Sequence, residues 1–184
     1  RISHIWLVDH KGRNARQLTN SHDGESTPRW APDSRRIAFI DKRGDDTARQ
    51  IYIIRVDGGE AHRLTNHKTD VADISWSSDG RALYYIAAEP ETEEEKRRLK
   101  VQDDIFPYDE HYKQRHLWRV DTESGKRQRL TNGDYTVRSY DVAADGETII
   151  FSRARSPLLN DMFHAELLVM LADGSGQNQL THNN

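Results

Sequence analysis

One phrase recurs four times along the chain: QLTN at 17–20, RLTN at 63–66, RLTN at 129–132 and QLTH at 179–182. A second keeps step with it, since WAPDSRRIAFI begins at Trp30, WSSDGRALYYI at Trp76 and a weaker VAADGETIIFS at Val142. Leu18 to Leu64 and Trp30 to Trp76 both span 46 residues, the next interval is 66 in both phrases, and Leu130 to Leu180 spans 50. A fixed period of this size means an array of supersecondary units that bury their apolar faces against one another. The middle interval carries an excess of 20 residues, located at EPETEEEKRRLKVQDDIFPY, residues 89–108.

Within each period the signals are those of strands. A short run ends near the Trp, a turn follows (Pro32-Asp33-Ser34, Ser78-Asp79-Gly80, Ala144-Asp145-Gly146), and an apolar run comes next. A third run is IWLVD (5–9), QIYIIRVD (50–57), HLWRVD (116–121) or ELLVMLAD (166–173), closed by a turn containing Gly, and the LTN phrase supplies a fourth strand. A hydrophobic share of 35%, with 31% charged residues and a mean hydropathy of −0.92, suits many short, half-buried strands better than thick helices.

Four antiparallel strands per repeat is the blade of a β-propeller, so the expected fold is all-β. Residues 1–20 would hold the last two strands of a partial blade, residues 21–66 a blade, 67–132 a blade with the insertion 89–108, and 133–184 a further blade. About three and a half blades fall short of the roughly four to eight that close a ring. Either the chain is a piece of a larger propeller or copies associate to complete one; the half-blade at the start favours the piece.

The balance of charges excludes some partners. A net charge of −3 from interspersed acids and bases leaves no basic stripe for nucleic acid. No apolar run approaches the roughly 18 residues that span a bilayer, so no membrane partner is expected. With no cysteine, disulfides and thiolate metal sites are ruled out, and the compartment, cytoplasmic or periplasmic, stays open. The chain starts at Arg1 rather than Met and reads as a fragment.

The pattern P-x-W-[SA]-x-D-[GS]-x-x-[IL]-x-[FY], followed by an I-Y-x-[IV]-x-x-D-G-G strand and the RLT phrase, resembles the propeller repeats shared by TolB and by the prolyl oligopeptidase family of serine peptidases. The third repeat is the sharper match. Its charged insertion leading into Asp109, Glu110, Lys113, Arg115, Leu117 and Trp118 is similar to the D-E-x-x-K-x-R-x-L-W strand of acylaminoacyl-peptidase-type members. Val142-Ala143-Ala144 departs from the usual W-S-P. The resemblance implies a propeller that restricts access to a hydrolase domain and lends polar groups to a peptide substrate, and it implies no cofactor. The chain itself carries no G-x-S-x-G elbow; Gly174-Ser175-Gly176 has the wrong spacing and lies in an expected hairpin turn, so no catalytic residue is nominated. A TolB-like module that binds protein partners is the competing reading.

Spacing argues against other sites. His62 with His67, and His111 with His116, lie five apart, which suits neither one helix face nor one strand face, and no D-x-[DN]-x-[DN]-G loop surrounds Asp45-Asp46 or Asp103-Asp104, so no metal is expected. Trp30 and Trp76 hold the same repeat position and are expected to pack between neighbouring blades, worth about 2–3 kcal/mol each. Trp6 and Trp118 hold matching places in the third strand. The loops leading into the innermost strands, Asp23–Thr27, Thr69–Asp73 and Tyr135–Ser139, face one end of the channel. Asp73 and Arg138 there are the candidates to meet a peptide terminus or carboxylate, against the more ordinary role of an intramolecular pair.

In the insertion, Thr92 and Glu95 form a capping box ahead of a short helix, with Glu93–Arg97 and Glu94–Arg98 as acid-before-base pairs. A helix this short needs an anchor, and Ile105, Phe106 and Tyr108 are the expected apolar contacts. Lying between the second and third strands, the insertion emerges on the face where the channel opens. It is expected to pack against a hydrolase domain or another subunit, the latter making a homo-oligomer.

Overall fold

The repeated LTN phrase has one physical job, visible four times in the computed structural model, which describes residues 2–100 and 112–183. Its Thr hydroxyl accepts the N–H that opens the third strand: Ile5 to Thr19 at 3.0 Å, Ile51 to Thr65 at 2.9 Å, Leu117 to Thr131 at 3.0 Å and Leu167 to Thr181 at 2.8 Å. The preceding Leu donates its own N–H back to the same residue's carbonyl, Leu18 to Ile5, Leu64 to Ile51, Leu130 to Leu117 and Leu180 to Leu167, at 2.8–2.9 Å. Side chain and backbone thus close the third and fourth strands into one hairpin.

The first hairpin is just as regular. The Asp of the turn accepts the N–H two residues on, from Arg35 to Asp33, from Arg81 to Asp79 and from Glu147 to Asp145, at 2.8–3.0 Å. The next position takes a left-handed backbone, with φ of 56° at Ser34, 69° at Gly80 and 76° at Gly146. The weak phrase at Val142 therefore builds the same turn as the two Trp phrases.

The resulting strands run in sequence order within each sheet. A two-stranded sheet joins β1 (Trp6–Leu7) and β2 (Arg16–Gln17), and a four-stranded one joins β3 (Ser26–Trp30), β4 (Arg36–Asp41), β5 (Gln50–Arg55) and β6 (His62–Arg63). The next four-stranded sheet contains β7 (Val71–Trp76), β8 (Ala82–Ala88), β9 (Arg115–Asp121) and β10 (Arg127–Arg129). The last contains β11 (Thr136–Val142), β12 (Thr148–Ala154), β13 (Glu166–Leu171) and β14 (Asn178–Gln179). These are propeller blades, and the fold is a nearly all-β partial propeller.

The chain forms two compact units, Arg1–Tyr85 with Trp118–Gln128 and Ile86–Leu117 with Arg129–Asn184. In the first, Ile5, Leu7 and Leu18 of the β1–β2 hairpin pack on Ile37, Phe39, Tyr52 and Ile54 from one face of the β3–β6 sheet. On the opposite face Ala38, Ile40, Ile51 and Ile53 are buried, and β7 lies against β3 and β4. Each fully buried Ile or Phe contributes about 1.5–3 kcal/mol. In the second unit Val137, Ile149, Phe151, Leu168 and Met170 are buried on the β11–β14 sheet.

The Trp expectation holds for one residue and fails for its twin. Trp76 donates its Nε1–H to the Arg29 carbonyl at 3.0 Å and lies under the Arg36 guanidinium at 5.1 Å from the ring centroid. Trp30 is exposed, because the strands that would play the part of β3 and β4 towards it are not in the chain, which places only β1 and β2 before it. Trp6 is also exposed, whereas its counterpart Trp118 meets His67 edge-on at 5.0 Å and stacks on Tyr85 at 6.4 Å.

The insertion begins with the expected helix, α1 (Glu93–Lys100). Thr92 N–H donates to Glu95 Oε2 at 2.6 Å and Glu95 N–H donates to Thr92 Oγ1 at 3.2 Å, a reciprocal capping box. Among the described side chains Glu93 pairs with Lys96, three residues on, at 2.8 Å. Ile105, Phe106 and Tyr108 lie outside the described residues. The anchor that is visible is ionic: Lys113, at the return of the insertion, donates to both oxygens of Glu95.

Candidate substrate-facing site

Asp73 and Arg138 lie on the first strands of their sheets, and two of the first strands, β3 and β11, are bulged. Register slips between Ser26 and Arg29 in β3 and between Val137 and Ser139 in β11. Thr27 and Asp73, at matching positions three residues before their Trp, both have φ of 53°. A non-glycine residue in this region costs roughly 1–3 kcal/mol unless its surroundings fix it, and a bulge re-aims the side chain it carries. Asp73 is exposed on β7 in the first unit, and Arg138 is half-buried as the extra residue of the β11 bulge in the second. Neither is without a partner.

Just ahead of β3 lies a cluster of enclosed charges. Glu25, with its side chain out of contact with solvent, accepts Ser21 N–H at 2.8 Å, faces His4 Nδ1 at 3.1 Å and accepts from Arg43 Nη2 at 3.3 Å. Arg43 also donates to Asp41, which accepts the Ser21 hydroxyl at 3.0 Å. The guanidinium sits over the rings of Phe39 and Tyr52 at 5.3 and 5.0 Å, flanked by Asp46, which accepts Arg43 N–H at 3.1 Å, Tyr52 O–H at 2.6 Å and a bond from Arg63. Burial pushes the Glu25 and Asp46 carboxyls upward, but the bonds they accept outweigh it, and both titrate below the ordinary carboxylate range. Burial and the Asp46 carboxylate push the Tyr52 phenol up.

Ser21 and Arg43 of this cluster line a cleft of about 840 Å³ together with Asn20, His22, Asp23 and Lys42. The cleft presents both signs of charge and suits a polar chain end. Ser21 is not an activated nucleophile, because its hydroxyl is held between Asp41 and the Gly24 N–H at 3.1 Å, while His4 turns to Glu25.

The second unit has its own polar cluster, at the foot of the insertion. Glu89 N–H donates to the Gln114 carbonyl at 2.8 Å, and Gln114 Nε2 donates to Asp134 Oδ1 at 2.9 Å and to the Arg155 carbonyl at 3.0 Å. His116 is wholly buried, with Nδ1 3.2 Å from Thr131 Oγ1, Nε2 3.5 Å from Glu89 Oε1 and the Tyr135 ring edge-on at 5.7 Å. Arg129 holds the same Glu89 oxygen at 2.9 Å. Burial first, and then the Arg129 charge, lower the His116 pKa to about 4, so the ring is neutral at neutral pH. The Lys113 hydrogen bond, aided by Thr92, lowers the Glu95 carboxyl to about 2. Three buried polar atoms here, Gln114 Oε1, His116 Nε2 and Tyr135 Oη, have no hydrogen-bond partner among the described residues.

Asp73 and Arg138 are thus placed in separate units, and the dense networks lie elsewhere. Glu25 falls within the Asp23–Thr27 loop that the repeat alignment marked, whereas Arg43 carries no signal as a single residue and the spacing of Asp46 and His116 argued only against a metal. Among the described residues no group of three or more His, Asp or Glu is arranged to hold a metal ion.

No protein-family model matches the chain. Curated proteins do. It is 35% identical over 104 residues to the uncharacterized peptidase YuxL of Bacillus subtilis, covering 56% of this chain and 16% of that protein. It is 33% identical over 105 residues to dipeptidyl-peptidase 5 of Arthroderma otae, covering 49% of this chain and 14% of that protein. Among solved structures, putative TolB from Agrobacterium tumefaciens matches 97% of this chain and 56% of its own with a TM-score of 0.66 and 19% identity. Uncomplexed acylaminoacyl peptidase from Pyrococcus horikoshii matches 98% of this chain and 28% of its own with a TM-score of 0.63 and 18% identity. The resemblance to peptidase propellers is therefore met in sequence by relatives named as peptidases, and the structures establish the fold. The chain spans about one-seventh of the curated relatives it matches.

Proposed function

We propose that this chain is part of the propeller domain of a longer serine peptidase acting on short or N-acylated peptides, in which it gates entry and selects substrate. The observation that carries the reading is the match at 35% identity to a protein named as a peptidase. In this reading the partner is the hydrolase domain of the longer protein. Asp73, Arg138 and the cleft lined by Ser21, Lys42 and Arg43 face the peptide, and the insertion 89–108 meets the hydrolase domain. The likeness to TolB favours a second reading, an interaction module without an enzyme; at 19% identity it concerns the fold alone, so the peptidase reading stands first.

The test is made in the longer protein. Deleting 91–108, and separately replacing Arg138 by Ala, is expected to change the ratio of kcat/KM between a short and a long peptide substrate. Finding no peptidase activity in the longer protein sinks the reading in favour of the interaction module. Activity with unchanged size selectivity in both variants removes the gating role.

A further inference from the structure

The LTN threonines align the blades position by position, so the seams between neighbouring outer hairpins can be compared. Four residues before the threonine of one blade, a side chain reaches back to the phrase of the blade before it. Arg127 Nη1 donates to the Asn66 carbonyl at 2.6 Å, and Gln177 Nε2 donates to the Leu130 carbonyl at 3.3 Å. The turn just ahead closes in as well: a Cβ on Gly125 would lie 3.7 Å from the Leu64 oxygen, and one on Gly174 would lie 3.0 Å from the Leu130 oxygen. Two residues after its threonine, His67 fills the seam that Arg127 bridges, edge-on to Trp118 at 5.0 Å.

The seam between the β1–β2 hairpin and the β3–β6 sheet lacks all three fillings. Ala61 stands where Arg127 and Gln177 stand and has no side-chain donor to give, Ser21 stands where His67 stands, and a Cβ on Gly58 or Gly59 would meet nothing within 4 Å. The cleft lined by Ser21, Lys42 and Arg43 is the space left. Both of its walls are present: Arg16 ties the hairpin to the Val56 carbonyl, and a further strand of the first blade would pair with β1 on the edge away from β2. Leu18, Ile54 and Ala61 line the cleft with apolar surface, and exposed Glu60 adjoins them. Around it Asp23, Glu25, Asp41, Asp46 and Glu60 outnumber Lys42, Arg43 and Arg63. The enclosed carboxylates are taken up by the arginines, whereas Asp23 and Glu60 have no ion-pair partner among the described residues.

We propose that this seam takes an arginine side chain from a peptide. The stem lies on Leu18, Ile54 and Ala61, and the guanidinium reaches Glu60 and the carbonyl edge of the first LTN phrase, the place that Arg127 takes for itself in the next seam. The excess of negative charge around the cleft draws the cation in. Arginine suits the site better than lysine, because its planar fork bonds a carboxylate and a carbonyl at once. That role rests on the reading of the cleft as peptide-facing given above, but asks nothing of the hydrolase domain.

Fluorescence anisotropy of labelled peptides that carry arginine, norleucine or glutamate at one position, titrated with the longer protein, tests it. The arginine peptide is expected to bind about tenfold more tightly than the norleucine peptide, the scale of one charge-assisted hydrogen bond, and less tightly as salt rises. Ala61→Arg gives the first seam the filling of the second and is expected to abolish the preference. Glu60→Gln, at an exposed position, is expected to weaken the arginine peptide by about threefold, the scale of one exposed ion pair. Equal affinity for the arginine and norleucine peptides, tighter binding of the glutamate peptide, or an arginine preference that survives both substitutions overturns the inference. A longer protein that shows the preference without peptidase activity supports it while removing the hydrolase reading; an active peptidase without the preference overturns this inference alone.

Discussion

Replacing His116 by Gln tests the reading of the insertion foot most sharply, since Gln50 holds the equivalent place in the β3–β6 blade. There Gln50 Oε1 accepts the Thr65 hydroxyl at 2.8 Å and His67 N–H at 2.8 Å. His116 instead faces Thr131, whose hydroxyl already accepts Leu117 N–H and so has its own proton to give to Nδ1. That leaves the ring proton on Nε2, towards Glu89 at 3.5 Å. In the folded chain the His116 pKa is lowered from 6.5 to about 4. Between those values the unfolded chain binds a proton that the native chain refuses, so stability rises with pH through this window and is lost as pH falls through it. The whole interval is worth about 3 kcal/mol at 1.36 kcal/mol per pH unit. With a urea m-value of about 2 kcal/mol/M, the wild-type midpoint should fall by about 1.5 M between pH 7 and pH 4 from this group alone. Urea titrations followed by far-UV circular dichroism at several pH values measure it. His116→Gln should flatten this component while leaving the fall below pH 4 that comes from carboxylates. Parallel curves for wild type and variant across pH 4–6.5 would refute the account of a neutral, desolvated imidazole.

Other outcomes follow from the same geometry. Thr65→Val should cost about 1–3 kcal/mol in urea unfolding, because it strands the Ile51 N–H in the interior. Asp46→Asn should weaken the part of stability that is present above about pH 4 and lost below it, since Asp46 titrates below the ordinary carboxylate range; a wild-type-like acid limb would contradict that. Thr92→Ala should reduce helix content in α1 and cost about 0.5–2 kcal/mol there, read as faster amide exchange at Glu95.

The architecture was legible because its signals are strictly local. Asp33, Asp79 and Asp145 announce a turn by residue type, and the four LTN threonines stand at a fixed place, so even the degenerate Val142 phrase could be aligned. The grip on those threonines was harder to see. The residue just ahead of each latched amide is His4, Gln50, His116 or Glu166, three residue types that can all bond a neighbouring polar group; His4 turns to Glu25, while Glu166 accepts the Thr181 hydroxyl at 2.7 Å. Identity searches miss such interchange, which is conserved in chemistry and not in letters. The candidate site suffered from the same limit. Arg43 matters because five groups from three segments converge on it, and sequence spacing carries no trace of that convergence. Trp30 failed for a different reason, since its expected burial required a neighbouring blade whose inner strands the chain does not contain.

The threonine latch has a consequence for where this fold can be extended. In all four repeats the hydroxyl and the amide it holds are 14 residues apart, a closure that lies wholly downstream of the second-to-third-strand connection. That connection runs from 42 to 49 in one blade and from 89 to 114 in the next. Lengthening a flexible connection by this ratio costs only about 1 kcal/mol of closure entropy, and none of it falls on the latch. The connection is thus a natural grafting point. A new helix, loop or binding segment inserted there changes what a blade displays while the outer hairpin closes as before.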